Sequence, residues 1–398
     1  MFGTMPARPF GAGDAPGAAT PRADRDLRFD VASILLGVWF LGGLYLDGWA
    51  HANRADLETF FTPWHAVLYA AFFANGLFFA GAGFVRWRRG APLRSVMPDG
   101  YGLSLVGVFV FFAGGVGDML WHTFLGVEAS VEALVSPTHL MLAAGLALIV
   151  SGPLRAAWRR DTPASLGAML PALVSVMLLL SVLTFFTQYS HPLIRPWAAS
   201  GNAFVDPVLR QVDSDPHWAA TPEGLPSADI GAMAGLAGFL IQSALLSGLL
   251  LLVARRWAPP PGAISVILIP NAIGLALMRV ELFVIPVAVL AAVAADVVVL
   301  WLRPTLAHPA RLRFVAAALP LLLWSAYFAV LSYDRGLWWS VHLWTGAIVI
   351  GAAAGFLASW LVVPPSTDPR AGISAAGEPI LASAQRPLKG LGEAPLKD

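Results

Sequence analysis

The chain has 398 residues, 57% of them hydrophobic and only 12% charged, with a formal net charge of +1 and no cysteine. So apolar a composition excludes the ordinary soluble and the intrinsically disordered classes. The missing cysteines exclude disulfides and thiolate ligands, and the lack of a basic stripe argues against a nucleic-acid partner.

Residues 1–28 are rich in Gly, Ala, Pro and Arg and lack the apolar core of a cleavable signal peptide, so a loose cytoplasmic tail is expected there. From residue 29 to 363 the chain reads as an all-α, polytopic transmembrane helix bundle. Apolar runs of the roughly 20 residues needed to cross a bilayer lie near 30–50, 63–85, 101–123, 134–156, 166–190, 229–254, 262–279, 282–302, 312–332 and 338–363, about ten spans. The pair within 262–302 is the least regular. Residues 364–398, rich in Pro, Ala, Gly and Ser, are expected to form a second loose tail.

Arginine placement orients the bundle. Clusters at Arg22/Arg25/Arg28, Arg86/Arg88/Arg89/Arg94, Arg155/Arg159/Arg160, Arg255/Arg256 and Arg303/Arg311/Arg313 each follow an even number of crossings. Positive charge accumulates on the cytoplasmic side, so both termini are expected there, in the plasma (inner) membrane. The spans then pair into five hairpins whose tips face away from the cytoplasm.

The first two hairpins carry related sequences, repeat one over 30–94 and repeat two over 101–165. Leu46–His65 reads LDGWAHANRADLETFFTPWH, and Gly117–His139 reads GDMLWHTFLGVEASVEALVSPTH. Each has an Asp four residues before a His (Asp47/His51, Asp118/His122), then a Glu five residues before a Pro (Glu58/Pro63, Glu132/Pro137). A second His, His65 or His139, follows two residues past the Pro. Both copies are followed by about twenty apolar residues and an Arg/Trp cluster, so a pseudo-twofold relation between the hairpins is expected.

Helix geometry says what this order can build. Residues four apart share a face, so Asp47 with His51, and Asp118 with His122, project together near the outer ends of spans one and three. Thr62-Pro-Trp-His and Ser136-Pro-Thr-His read as an N-cap, a proline at the first helical position and a histidine in the first turn. Asp47, His51, His65, Asp118, His122 and His139 are therefore expected at one depth as metal ligands. Glu58 and Glu132 in the connecting segments are candidates for bridging ligands, for hydrogen-bond partners to the imidazoles, or for the catalytic general acid/base. Carboxylate and imidazole without thiolate suit Zn, Cu(II), Fe or Mn. A pair of facing histidines can also ligate haem, and Asp–His pairing can be a purely structural way to bury both groups.

Further along, Thr187 and His191 resemble a degenerate third copy, and the external segment 192–227, with Trp197, His217 and Trp218, suggests a lid. Glu281 and His342 are possible supplements to the centre. The Asp-x3-His pair with a second His about a dozen residues on resembles the copper-site motif in the C subunit of particulate methane monooxygenase. The likeness covers three residues per copy; it adds copper to the candidate metals and implies nothing about the rest of the chain.

Function is expected to be that of a membrane metalloenzyme, oxidative or hydrolytic, using one or two transition-metal ions (Cu, Zn or Fe) in contact with membrane lipid. Its substrate would be lipid-soluble or periplasmic. The alternatives are a transition-metal carrier or loading factor, and a structural membrane protein with no metal. Ile34–Leu46 and Val106–Gly117, below the motifs, are apolar, which favours a one-sided site over a path.

Overall fold

The computed structural model describes residues 21–54, 61–126, 131–160, 162–200 and 227–363. The architecture is all-α. Helix α1 spans Pro21–Asn53, α2 Pro63–Arg88, α3 Gly102–Leu125, α4 Glu132–Val135, α5 Pro137–Val150, α6 Gly152–Arg159 and α7 Leu166–Phe186. The second half holds α8 Ser227–Arg256, α9 Ala263–Arg279, α10 Val284–Leu302, α11 Pro309–Asp334 and α12 Val341–Val362. Among the described residues nine helical segments are long and apolar enough to cross a membrane, α5 and α6 counting as one. A tenth, α9, is equally apolar but only 17 residues long. At about 1.5 Å per residue it reaches about 25 Å, a little short of the roughly 30 Å hydrocarbon layer.

Helix α1 begins at Pro21, inside the stretch expected to be a loose tail, because this end is anchored. Phe29 packs edge-on against Tyr101 with ring centroids 4.7 Å apart. Asp30 accepts hydrogen bonds from Tyr101 Oη and from the Arg160 guanidinium, both at 2.7 Å. The fourth span is not continuous: α5 gives way to α6 at Ser151-Gly152-Pro153. Arg155 braces the break by donating to Gly100 O and Leu148 O.

Small residues set the closest helix contact, between α3 and α5. A Cβ at Gly145 would lie 2.6 Å from the Phe111 backbone nitrogen, and one at Gly107 would lie 2.7 Å from Gly145 O. In a bilayer, where apolar side chains gain little by leaving lipid, such backbone approach is a main source of helix association. Helix α1 pairs with α2 as α3 does with α5, while α2 touches α3 and α1 touches α5. Helix α7 packs on α1, α5 and α9 and joins this four-helix group to α8–α12.

Beneath the ends of these helices that carry the Asp and His residues lies an apolar layer. Phe40, Phe72 and Phe111 are almost wholly buried. Phe111 stacks on Phe72 and meets Phe40 edge-on, each at 4.8 Å between centroids. Phe40 stands seven residues before Asp47, Phe111 seven before Asp118, Phe72 seven after His65 and Leu146 seven after His139. Two helical turns, about 10.5 Å, thus separate every buried ligand-type residue from a bulky apolar one.

Candidate metal centre

Asp47 and His51 occupy the last turns of α1, and His65 the first turn of α2. The entry of α2 forms as expected: Thr62 is the N-cap, its hydroxyl accepts the His65 N–H at 3.1 Å, and Pro63 follows. His65 Nε2 then lies 3.4 Å from Asp47 Oδ1, and His51 Nε2 lies 3.8 Å from Asp47 Oδ2. Asp118 and His122 end α3, and His139 opens α5. Their Nε2 atoms both lie 3.5 Å from Asp118 Oδ1. In each triad one ligand atom per residue falls within 4.8 Å of the others.

Ser136 takes a different role from Thr62. It stands at the N-cap position, but its hydroxyl meets His139 Nδ1 at 2.7 Å and makes no cap bond. His122 Nδ1 lies 3.2 Å from Gly126 O. That carbonyl can only accept, so Nδ1 carries the proton and a neutral His122 turns its Nε2 lone pair toward Asp118. Thr138 Oγ1 donates to Asp118 Oδ1 at 3.1 Å, so the second triad has hydrogen bonds that orient three of its groups. In the first, Asp47 Oδ1 is buried and accepts no hydrogen bond among the described residues.

At His122 an electron-rich nitrogen facing a carboxylate needs positive charge between them, either a second proton on the imidazole or a metal ion. A charge-assisted N–H···O contact closes to about 2.7–2.9 Å, shorter than any of these four separations. Ligands about 2.0–2.1 Å from a tetrahedral ion stand about 3.3–3.4 Å apart, close to the observed 3.4–3.8 Å. Three ligands per triad would leave one position of a tetrahedral ion open.

All six residues line one cavity of about 460 Å³. Its floor includes Leu44, Leu68, Phe111 and Leu146. Tyr69 stands in the wall, one turn after His65 with ring centroids 6.2 Å apart, in the fields of both Asp47 and Asp118. The lining also includes Phe185, Phe186, Gln188, Tyr189, Arg195 and Arg279. Tyr69 was accessible to the same i, i+4 reasoning that paired Asp47 with His51; the arginines come from distant hairpins and carried no local signal.

The remaining expected participants are distributed differently. Glu58 lies outside the described residues. Glu132 opens α4 and is exposed, while the next two residues, Ala133 and Leu134, line the cavity. Glu281 does not join the triads: Arg335 donates to both its carboxylate oxygens. His342 is exposed at the start of α12 and is not in the cavity wall. His191 is buried apart from the triads, where its Nδ1 accepts the Leu193 N–H at 3.1 Å. Desolvation holds its pKa down at about 3. Of the expected lid, 201–226 lies outside the described residues. The preceding stretch is tied to the turn before α12, with Trp338 Nε1 donating to Trp197 O at 2.6 Å and Trp338 N to Ala198 O at 3.1 Å.

Fold and site together define a multi-pass membrane protein with two Asp/His clusters that could each hold a metal ion, facing one cavity. No protein-family model, curated protein or solved structure matches the chain.

Proposed function

We propose that this protein is a membrane metalloenzyme in which two transition-metal ions act on a substrate held in the shared cavity. Asp47, His51 and His65 hold one ion, and Asp118, His122 and His139 hold the other, with copper, zinc and iron as candidates. The observation that carries the reading is the spacing of the six ligand groups: too wide for hydrogen-bonded ion pairs and close to the edge length of a metal polyhedron. A bound metal supplies a Lewis acid or a redox centre. The protein supplies the rest: His122 is held by Gly126, His139 by Ser136 and Asp118 by Thr138, so the ligands are oriented before the ion arrives. Glu58 and Glu132 are the proposed general acid/base. The matching contacts of α1–α2 and α3–α5 support an origin by duplication of one hairpin.

The phenylalanine layer favours an enzyme over a carrier. An ion released from either triad toward the opposite face meets Phe40, Phe72, Phe111 and Leu146, none of which offers a ligand atom. The cavity is also larger than a metal ion requires and falls in the range of small-molecule sites, about 300–1,000 Å³. The substrate is proposed to be lipid-soluble or to arrive from the periplasmic side, with both termini cytoplasmic.

Metal analysis of gently extracted protein tests the reading. One or two ions of Cu, Zn or Fe per chain are expected, lost in a His51→Ala/His122→Ala variant that still inserts into the membrane. Protein that is metal-free and cannot be reloaded with any of these ions would overturn it.

A further inference from the structure

Two arginines from other hairpins line the same cavity as the triads. Arg195 follows α7 in the stretch His191–Ser200, and Arg279 ends α9 just before Val280 turns the chain through a left-handed conformation, φ 59°. Both are half-buried and close enough for their charges to repel. Neither guanidinium has an ion-pair or hydrogen-bond partner among the described residues, and Arg279 Nε is fully shielded from solvent. The one carboxylate in the small adjoining recess that these arginines share, Glu281, is engaged by Arg335. Burial also pulls the Arg195 pKa downward, as expected of a charge without compensation.

Two like charges are thus held together, partly desolvated and with no ion-pair partner among the described residues, at the wall of a cavity. Buried ionic groups are normally paired or hydrogen-bonded, and intramembrane charge usually marks a functional site. The described lining as a whole carries three arginines, Arg54, Arg195 and Arg279, against two carboxylates, Asp47 and Asp118. Filling the triads with divalent ions would make the cavity more positive still. A planar guanidinium pair matches the oxygens of a phosphate or carboxylate.

We infer that Arg195 and Arg279 form an anion subsite, and that the substrate carries a phosphate or carboxylate group anchored there while its reacting part faces the triads. As a substrate anchor the subsite rests on the metalloenzyme reading; as an anion site it stands independently of it. The apolar floor then takes the non-ionic portion, giving an amphiphilic substrate with one anionic end.

The experiment is a calorimetric titration of inorganic phosphate into purified full-length protein, stripped of metal by chelator, in non-ionic detergent and phosphate-free buffer. Saturable binding is expected, weakened at least tenfold in Arg195→Gln/Arg279→Gln, with that variant's metal uptake unchanged. Should the double variant lose its monodisperse profile, Arg195→Gln alone carries the test, because Arg195 lies outside any helix. Wild-type protein without saturable phosphate binding, or a folded variant of equal affinity, would overturn the inference. Arginine-dependent binding in a protein that takes up no metal would keep the anion site and remove the metalloenzyme. Repeating the titration in phosphatidylcholine nanodiscs with and without phosphatidylglycerol identifies the source: competition assigns the subsite to a lipid headgroup, and its absence to a soluble anion.

Discussion

Replacing Thr138 with Val should narrow the difference in metal affinity between the two triads. Thr138 Oγ1 donates to Asp118 Oδ1 at 3.1 Å in a site where the aspartate is 2% exposed. Trp64 stands at the corresponding place in the first motif and has no hydroxyl, which accounts for the unbonded Asp47 Oδ1. The second site should therefore bind metal more tightly in the wild type, and a chelator-competition titration should show two phases. Hydrogen bonds to a charged group contribute about 1.5–3 kcal/mol, and loss of an outer partner typically lowers metal affinity about 10–100-fold. The two figures agree, since a factor of 10 corresponds to about 1.4 kcal/mol. Val keeps the shape of Thr, so packing on Gly117, where an added Cβ would lie 3.3 Å from Thr138 Cγ2, is preserved. The tighter phase should move about 10–100-fold toward the weaker one, with the weaker phase unmoved. If Thr138→Val leaves both phases where they were, Asp118 is not a metal ligand oriented by Thr138 and the asymmetry argument fails.

Three more outcomes follow from the same structure. Gly145→Ala should destabilise the bundle by about 1–3 kcal/mol, because its Cβ would sit 2.6 Å from the Phe111 backbone nitrogen, which cannot move aside; unchanged thermal stability in detergent would refute the close α3–α5 contact. His191, its folded pKa near 3 against 6.5 unfolded, contributes stability that is complete above about pH 6.5 and declines as the pH falls toward 3; the Tm of wild type should therefore drop more steeply between pH 7 and 4 than that of His191→Asn. In the cysteine-free chain, a cysteine placed at 54 should react with an impermeant reagent from outside intact cells while one at 89 stays protected; the reverse pattern would move the cavity to the cytoplasmic side.

Much of the centre was legible because it is local. An i, i+4 spacing fixes which side chains adjoin, and a capping residue followed by proline fixes where a helix starts, so Asp47/His51 and Thr62/His65 could be placed from the chain alone. Ser136 shows the limit of that logic: the same Ser-Pro-x-His order that names a cap left its hydroxyl free to reach His139, a choice made by side-chain geometry. The start of α1 was hidden because its reason is distant, a salt bridge from Asp30 to Arg160 across 130 positions. Arg195, Arg279 and the engagement of Glu281 by Arg335 were invisible for a similar cause: each depends on how α7, α9 and the turn before α12 meet. The short α9 fell in the one region whose hydrophobic pattern was irregular.

The phenylalanine layer has an electrical consequence. Moving one elementary charge across the full membrane potential is worth about 2.3 kcal/mol per 100 mV, but only if the charge traverses the field. Phe40, Phe72 and Phe111 lie two turns below the ligands and leave the greater part of α1 and α2 on their far side. On the proposed reading, protons and ions exchanged at the cavity would enter and leave on the side from which it opens, without crossing the aromatic plug. Turnover by the proposed enzyme should then be electrically silent, running at the same rate in energised and in depolarised membranes.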